Sequence, residues 1–148
     1  AEGGGRARGL GLLPVDTSFG TDKITRQNLG RTGKLPAPFE GLSGMIVNGY
    51  EIHMGRTILD EDAVPLISDC KTGPDGCVSG NCMGTYFHGI FDDTDFREAL
   101  IRLLYVRKGL ERKTVSVSYR EYKEKTYDGL ADILRSGLDM DRIYKMLV

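Results

Sequence analysis

Met45-Ile46-Val47-Asn48-Gly49-Tyr50-Glu51-Ile52-His53 is the stretch on which the fold turns. Its β-branched and aromatic residues suit a pleated, half-buried surface, so it reads as a strand. Residues Lys23 to Gly30 are expected to pair with a strand running from Gly44 to Met54, across a loop that carries Pro36 and Pro38. Side chains alternate between the two faces of a strand, so Glu51 and His53 share one face and are placed to touch one ligand.

Outward from this strand, Leu10 to Val15 is a short apolar run closed by Pro14, and Asp60 to Asp69 reads as an acidic connection. Asp75-Gly76 reads as a turn, with Cys77-Val78-Ser79 and Cys82 to Phe91 as short strands around Gly80-Asn81. The helices come last. Asp93 or Thr94 caps a stripe of Phe96, Ala99, Leu100, Leu103 and Leu104 that stops at Gly109. A second helix is predicted from about Tyr119 to Ser136, with Gly137 as its stop. Asp139 caps a last short helix carrying Ile143, Met146 and Leu147. Strands first and helices last predict an α/β or α+β domain.

With 148 residues the chain is long enough for one domain with its own core, and 40% hydrophobic and 28% charged residues fit a soluble globular protein. A net charge of -1 excludes a general polyanion binder, so no nucleic-acid partner is expected. The charge is nonetheless uneven. Glu40 to Asp95 holds ten acidic residues against two basic ones, and Arg97 to Lys125 four against nine. Two solvated faces of opposite sign that also pack on each other explain this, as does a basic surface that docks a partner domain or an anionic substrate. No apolar run approaches the ~18 residues of a membrane span. The first residues lack an apolar signal core and an initiator Met, so a fragment or processed piece is expected. Three cysteines fit a reducing cytoplasm better than a disulfide framework.

Both histidines lie on strand-like stretches with glycines beside them: His53, and His88 within Gly84-Thr85-Tyr86-Phe87-His88-Gly89-Ile90-Phe91. Histidine is the side chain suited to move protons near neutral pH. A core histidine satisfied by a carbonyl is the competing reading for each, and Glu51 is the one acid–base partner near His53. Cys70, Cys77, Cys82 and His88 lack the close C-x2-4-C spacing of a zinc knuckle, so no metal site is expected. Gly80-Asn81-Cys82-Met83-Gly84 superficially matches a nucleophile elbow, which needs a strand before it and a helix after it. If Cys82 to His88 is one extended strand, the two side chains lie ~20 Å apart, and Cys82 is not the partner of His88.

Gly49 to Thr57 and Gly84 to Phe91 resemble the glutamine amidotransferase domain at the C-terminal end of the cobyric acid synthases. Gly9 to Val15, and the tail from Tyr127-Asp128-Gly129-Leu130-Ala131 to Leu138-Asp139-Met140-Asp141, follow the same pattern in the same order. The nonapeptide containing His53 is the specific part; the His88 motif is shared with the cobyrinic acid diamide synthases. The resemblance implies the C-terminal part of a flavodoxin-like class I amidotransferase domain, α/β with a mixed sheet followed by helices. Residues 1–118 would be the second half of that domain and 119–148 a helical tail packed on it.

The same resemblance implies a mechanism. A cysteine attacks the side-chain amide of glutamine, and His88 accepts the thiol proton and passes it to the leaving ammonia. The ammonia travels to an N-terminal ATP-binding synthetase domain, which amidates corrin carboxylates with ATP and Mg; no cofactor is implied for the present residues. Two departures matter. Most class I amidotransferases carry a glutamate two residues after the histidine, whereas this chain has Ile90, as is typical of the cobyric and cobyrinic branch. Whether Glu51 or another carboxylate substitutes is open. The family's nucleophile sits on a G-x-C-G-G elbow upstream of Gly9 to Pro14, so no nucleophile is expected among these residues, and the chain alone is expected to be inactive. A cobyrinic acid a,c-diamide synthase fragment and a noncatalytic module docking a corrinoid or a partner domain are the alternatives.

Overall fold

The computed structural model describes residues 4–111 and 118–146. Residues 1–3 of the glycine-rich lead-in, Arg112 and Lys113 of the basic stretch, and Leu147 lie outside them. The chain divides into two compact units, residues 1–113 and 114–148.

The first unit is organised by a long antiparallel hairpin of β1 (Val15–Thr32) and β2 (Ile46–Leu59), in register from Val15↔Leu59 to Arg31↔Ile46. It reaches beyond the expected Lys23 to Gly30 pairing, because β2 runs on to Leu59 and supplies partners for Val15 to Phe19. The register shifts between Phe19 and Ile24. The loop between the strands is tied at its base by Thr32, whose buried hydroxyl donates to the Leu42 carbonyl at 2.6 Å and accepts from the Met45 amide at 2.8 Å. A buried hydroxyl needs such partners, and here they also satisfy loop backbone.

β3 (Ile67–Cys70) adds outside β1, so the end of the acidic connection is strand. β6 (Phe87–His88) adds outside β2, giving the order β3-β1-β2-β6. A separate hairpin of β4 (Cys77–Ser79) and β5 (Cys82–Gly84) turns at Gly80-Asn81. The expected mixed sheet is not found: every pairing among the described strands is antiparallel. Among the described residues the helical element between these strands is the three-residue 3-10 turn Glu40–Leu42, too short to serve as the helical crossover that usually joins parallel strands.

Two further expectations are corrected. Asp75 exchanges two backbone hydrogen bonds of 2.9 Å with Ile67, and the turn comes earlier, at Lys71–Gly73, where the Gly73 amide donates to the Cys70 carbonyl at 3.0 Å. Cys82 to Phe91 is not one strand: β5 ends at Gly84, and the chain crosses to the other sheet for Phe87 and His88. It then enters a 3-10 turn at Ile90–Asp92. Gly89, at φ 78°, makes that exit in a conformation other residues rarely adopt. Cys82 and His88 therefore belong to different sheets.

α1 (Thr94–Arg107) is capped by Asp93, which accepts from the Phe96 amide at 3.1 Å. Phe96 is fully buried, a contribution of about 1.5–3 kcal/mol for such a side chain. It joins Val47, Ile67, Phe87 and Ile90 in one core, with Ala99, Leu100 and Leu103 of the predicted stripe packed against it. In the second unit, α2 (Tyr119–Gly137) is capped by Ser118 and α3 (Met140–Lys145) by Asp139. Among the described residues no helix is long and apolar enough to cross a membrane.

Candidate active site

Strand register decides which site residues meet. Tyr50 lies opposite His88 and Glu51 opposite Phe87. Because side chains alternate, His88 shares the face of Tyr50, Ile52 and Met54, while Glu51 and His53 point through the other side. The structure therefore separates His88 from both of the other sequence-predicted site residues. Glu51 cannot be the carboxylate that orients it. Ile90 is no substitute either: at 4% exposure it is part of the core. The direct cross-strand neighbour of His88 is Tyr50.

His88 itself is exposed, at the outer end of β6. Its face of β2 carries Ile46, Tyr50, Ile52, Met54 and Ile58, all exposed. Beneath it the fit is close. A side-chain carbon on Gly49 would stand 2.9 Å from Phe87 Cβ and 3.0 Å from the His88 carbonyl oxygen, so only glycine lets the strands approach this far.

On the inner face, Glu51 is buried and paired with Arg26, its partner in the β1–β2 register, and accepts from the Thr72 hydroxyl at 3.3 Å. A buried carboxylate needs this kind of pairing. The Nδ1 of His53 lies 2.7 Å from the Gly55 carbonyl, which fixes that nitrogen as the donor. Its ring stacks on Tyr86 with centroids 4.1 Å apart, and the Tyr86 hydroxyl meets Thr57 Oγ1 at 2.8 Å. Glu51 and His53 do line one cavity, of about 540 Å3, together with Arg26, Thr72, Asp75 and Tyr86.

Asp75 was hidden from sequence reasoning because an Asp-Gly pair signals a turn. The available signal was the hydroxyl and amide run of Thr85-Tyr86 ahead of His88, which needs an acceptor. Asp75 supplies it, and burial is the largest influence on its carboxyl, raising it above the ordinary aspartate value.

Cys70 donates to the Gly73 carbonyl at 2.7 Å, Cys82 is half-buried on β5, and Cys77 is buried, its thiol pushed up by that burial. All three are free. Among the described residues no three His, Cys, Asp or Glu side chains cluster as a metal site would require.

The sequence matches the family model of the CobB/CobQ-like glutamine amidotransferase domain over residues 1–96. The chain belongs to this family. The CobB/CobQ-like chain is 37% identical over 160 residues to the cobyric acid synthase of Lachnoclostridium phytofermentans, which covers 99% of the chain and 31% of that protein. It is 40% identical over 154 residues to that of Ruminiclostridium cellulolyticum (99% and 30%) and 40% over 149 residues to that of Salmonella enteritidis (97% and 29%). The amidotransferase chain thus spans about a third of the length of these relatives. The family match reaches from the lead-in through β6 to the start of α1, and so includes both histidines.

Proposed function

We propose that His88 is the proton-transfer residue of a glutamine-hydrolysing site. The observation that carries this reading is its placement. His88 stands exposed at the end of a strand whose backbone is fastened from the opposite side, on a sheet face of Ile46, Tyr50, Ile52 and Met54 that suits coverage by another element. The nucleophilic cysteine comes from a segment outside residues 1–148 that packs on this face, completing a flavodoxin-like amidotransferase domain.

In this site His88 takes the thiol proton, and the thiolate attacks the glutamine side-chain carbonyl. The imidazolium then protonates the departing nitrogen, releasing ammonia, and water hydrolyses the thioester to glutamate. Tyr50, opposite His88, is positioned by register to fill the space beside the ring.

For the parent protein we infer amidation of corrin side-chain carboxylates in cobalamin biosynthesis, on the strength of relatives named cobyric acid synthase. ATP-dependent activation is assigned to a synthetase domain elsewhere in the polypeptide, which receives the ammonia.

The test is glutaminase activity in the complete polypeptide and in residues 1–148 alone. The complete polypeptide should lose about 1000-fold or more in kcat on His88→Ala, and the isolated chain should show no turnover above its own His88→Ala control. Undiminished activity in the complete His88→Ala protein removes the role given to His88. Turnover by residues 1–148 removes the need for an outside nucleophile.

A further inference from the structure

Two residues of strand are a weak support for a side chain that must hold its position, since so short an edge element is marginal on its own. β6 has only Phe87 and His88 in register with β2. The remaining support comes from a polar attachment on the inner side of the sheet. Asp75 is 7% exposed and is anchored to β3 by its two backbone bonds with Ile67. Its Oδ2 accepts from the Thr85 hydroxyl, and the same oxygen accepts from the Tyr86 amide at 3.1 Å. The Thr85 hydroxyl oxygen in turn accepts from the Phe87 amide at 3.0 Å. The three residues that lead into His88 therefore hang from one carboxylate oxygen.

We propose that Asp75 and Thr85 form a positioning clamp for His88, a role that rests on the proton-transfer reading of that residue. Neither touches the outer face; both act by fixing the backbone from Thr85 to Phe87, and with it the height and direction of the imidazole. The clamp depends on hydrogen-bond geometry and not on charge. Because both donors reach the same oxygen, an asparagine amide oxygen in its place has the two lone pairs to accept both. Thr85 needs only its hydroxyl, so serine suffices, while valine keeps the shape and loses both bonds.

These substitutions define the experiment. In residues 1–148, hydrogen exchange at the Tyr86 and Phe87 amides should accelerate about tenfold or more in Thr85→Val and Asp75→Ala, with the Val47 amide unchanged. Thr85→Ser and Asp75→Asn should stay near the parent. In the complete polypeptide, Thr85→Val should lower glutaminase kcat about tenfold or more with KM for glutamine within about twofold, and Thr85→Ser should restore it.

Where Asp75→Ala fails to fold, Thr85→Val decides alone, since it removes one oxygen at constant shape. Unchanged amide exchange in Thr85→Val, or equal kcat losses in Thr85→Val and Thr85→Ser, overturns the clamp. Faster exchange together with undiminished glutaminase in His88→Ala overturns the catalytic reading of His88 and leaves Asp75–Thr85 as a strand fastener. Loss of activity in His88→Ala with normal kcat in Thr85→Val overturns the clamp and leaves His88 in place.

Discussion

The carboxyl of Asp75 lies above its ordinary value because burial penalises its charge; the Thr85 hydroxyl and the Tyr86 amide oppose this, the nearby Glu51 adds to it, and His53 opposes it. A carboxyl raised in the folded state contributes stability below its unfolded value of about 3.9, and that contribution is lost as pH rises through the folded value. At neutral pH the ionised form is therefore a cost of folding. Asp75→Asn keeps the accepting oxygen and removes the titration. It should melt at or above the parent at pH 7, and the advantage should shrink by about pH 4. Thermal melts at the two values decide; an asparagine variant less stable than the parent by the same margin at both contradicts this account. At this scale the sequence was only partly legible. The shared face of Glu51 and His53 followed from strand parity, and both line one cavity. The separation of His88 from Glu51 did not follow, because it depends on which β2 residue stands opposite His88, a pairing across 38 positions of sequence. Asp75 was obscured for a related reason: its turn chemistry is local, whereas its burial is not.

At the level of elements, local signals were read well and long-range ones poorly. The 3.6-residue stripe and Asp93 located α1, and the Asp139 cap located α3, since caps and stripes are encoded within a few residues. The polar residues after Val15 do not alternate cleanly, and they become strand only through pairing with the far half of β2. β6 was read as too long for the mirror-image reason: its glycines mark the ends of two different strands. The close approach of β2 and β6 at Gly49 gives a direct test. Gly49→Ala must push against Phe87 Cβ and the His88 carbonyl, and it should destabilise the protein by about 1–3 kcal/mol, as overpacking does. Denaturant titration against Gly44→Ala, which meets nothing nearby but sits at φ 74°, separates crowding from backbone strain. A Gly49→Ala protein as stable as the parent would refute the close fit beneath His88.

For the first unit as a whole, the sheet has one finished face and one unfinished one. Tyr50, Ile52 and Met54 are 53%, 44% and 47% exposed, a density of apolar surface that marks a contact in waiting. Ile52→Lys should cost residues 1–148 no more than about 0.5 kcal/mol, because the site is already wet, and it should reduce self-association measured by sedimentation. In the complete polypeptide the same lysine should be strongly destabilising. Equal tolerance in both settings argues that this face stays open.

The irregularity in β1 carries a consequence for how the sheet bears changes of chain length. Before it, Val15 and Thr17 stand opposite Leu59 and Thr57; after it, Ile24 and Arg26 stand opposite His53 and Glu51. The inward positions of β1 thus switch from odd to even numbers across residues 20–23, while those of β2 remain odd throughout. An inserted or deleted residue at 20–23 has slack in which to be absorbed. The same change between Val47 and His53 exchanges the two sides at a stroke, turning Glu51 outward and Tyr50 inward. Within the two strands, a change of length is therefore absorbed in one short stretch of β1, and β2 acts as the fixed ruler against which the rest of the site is measured.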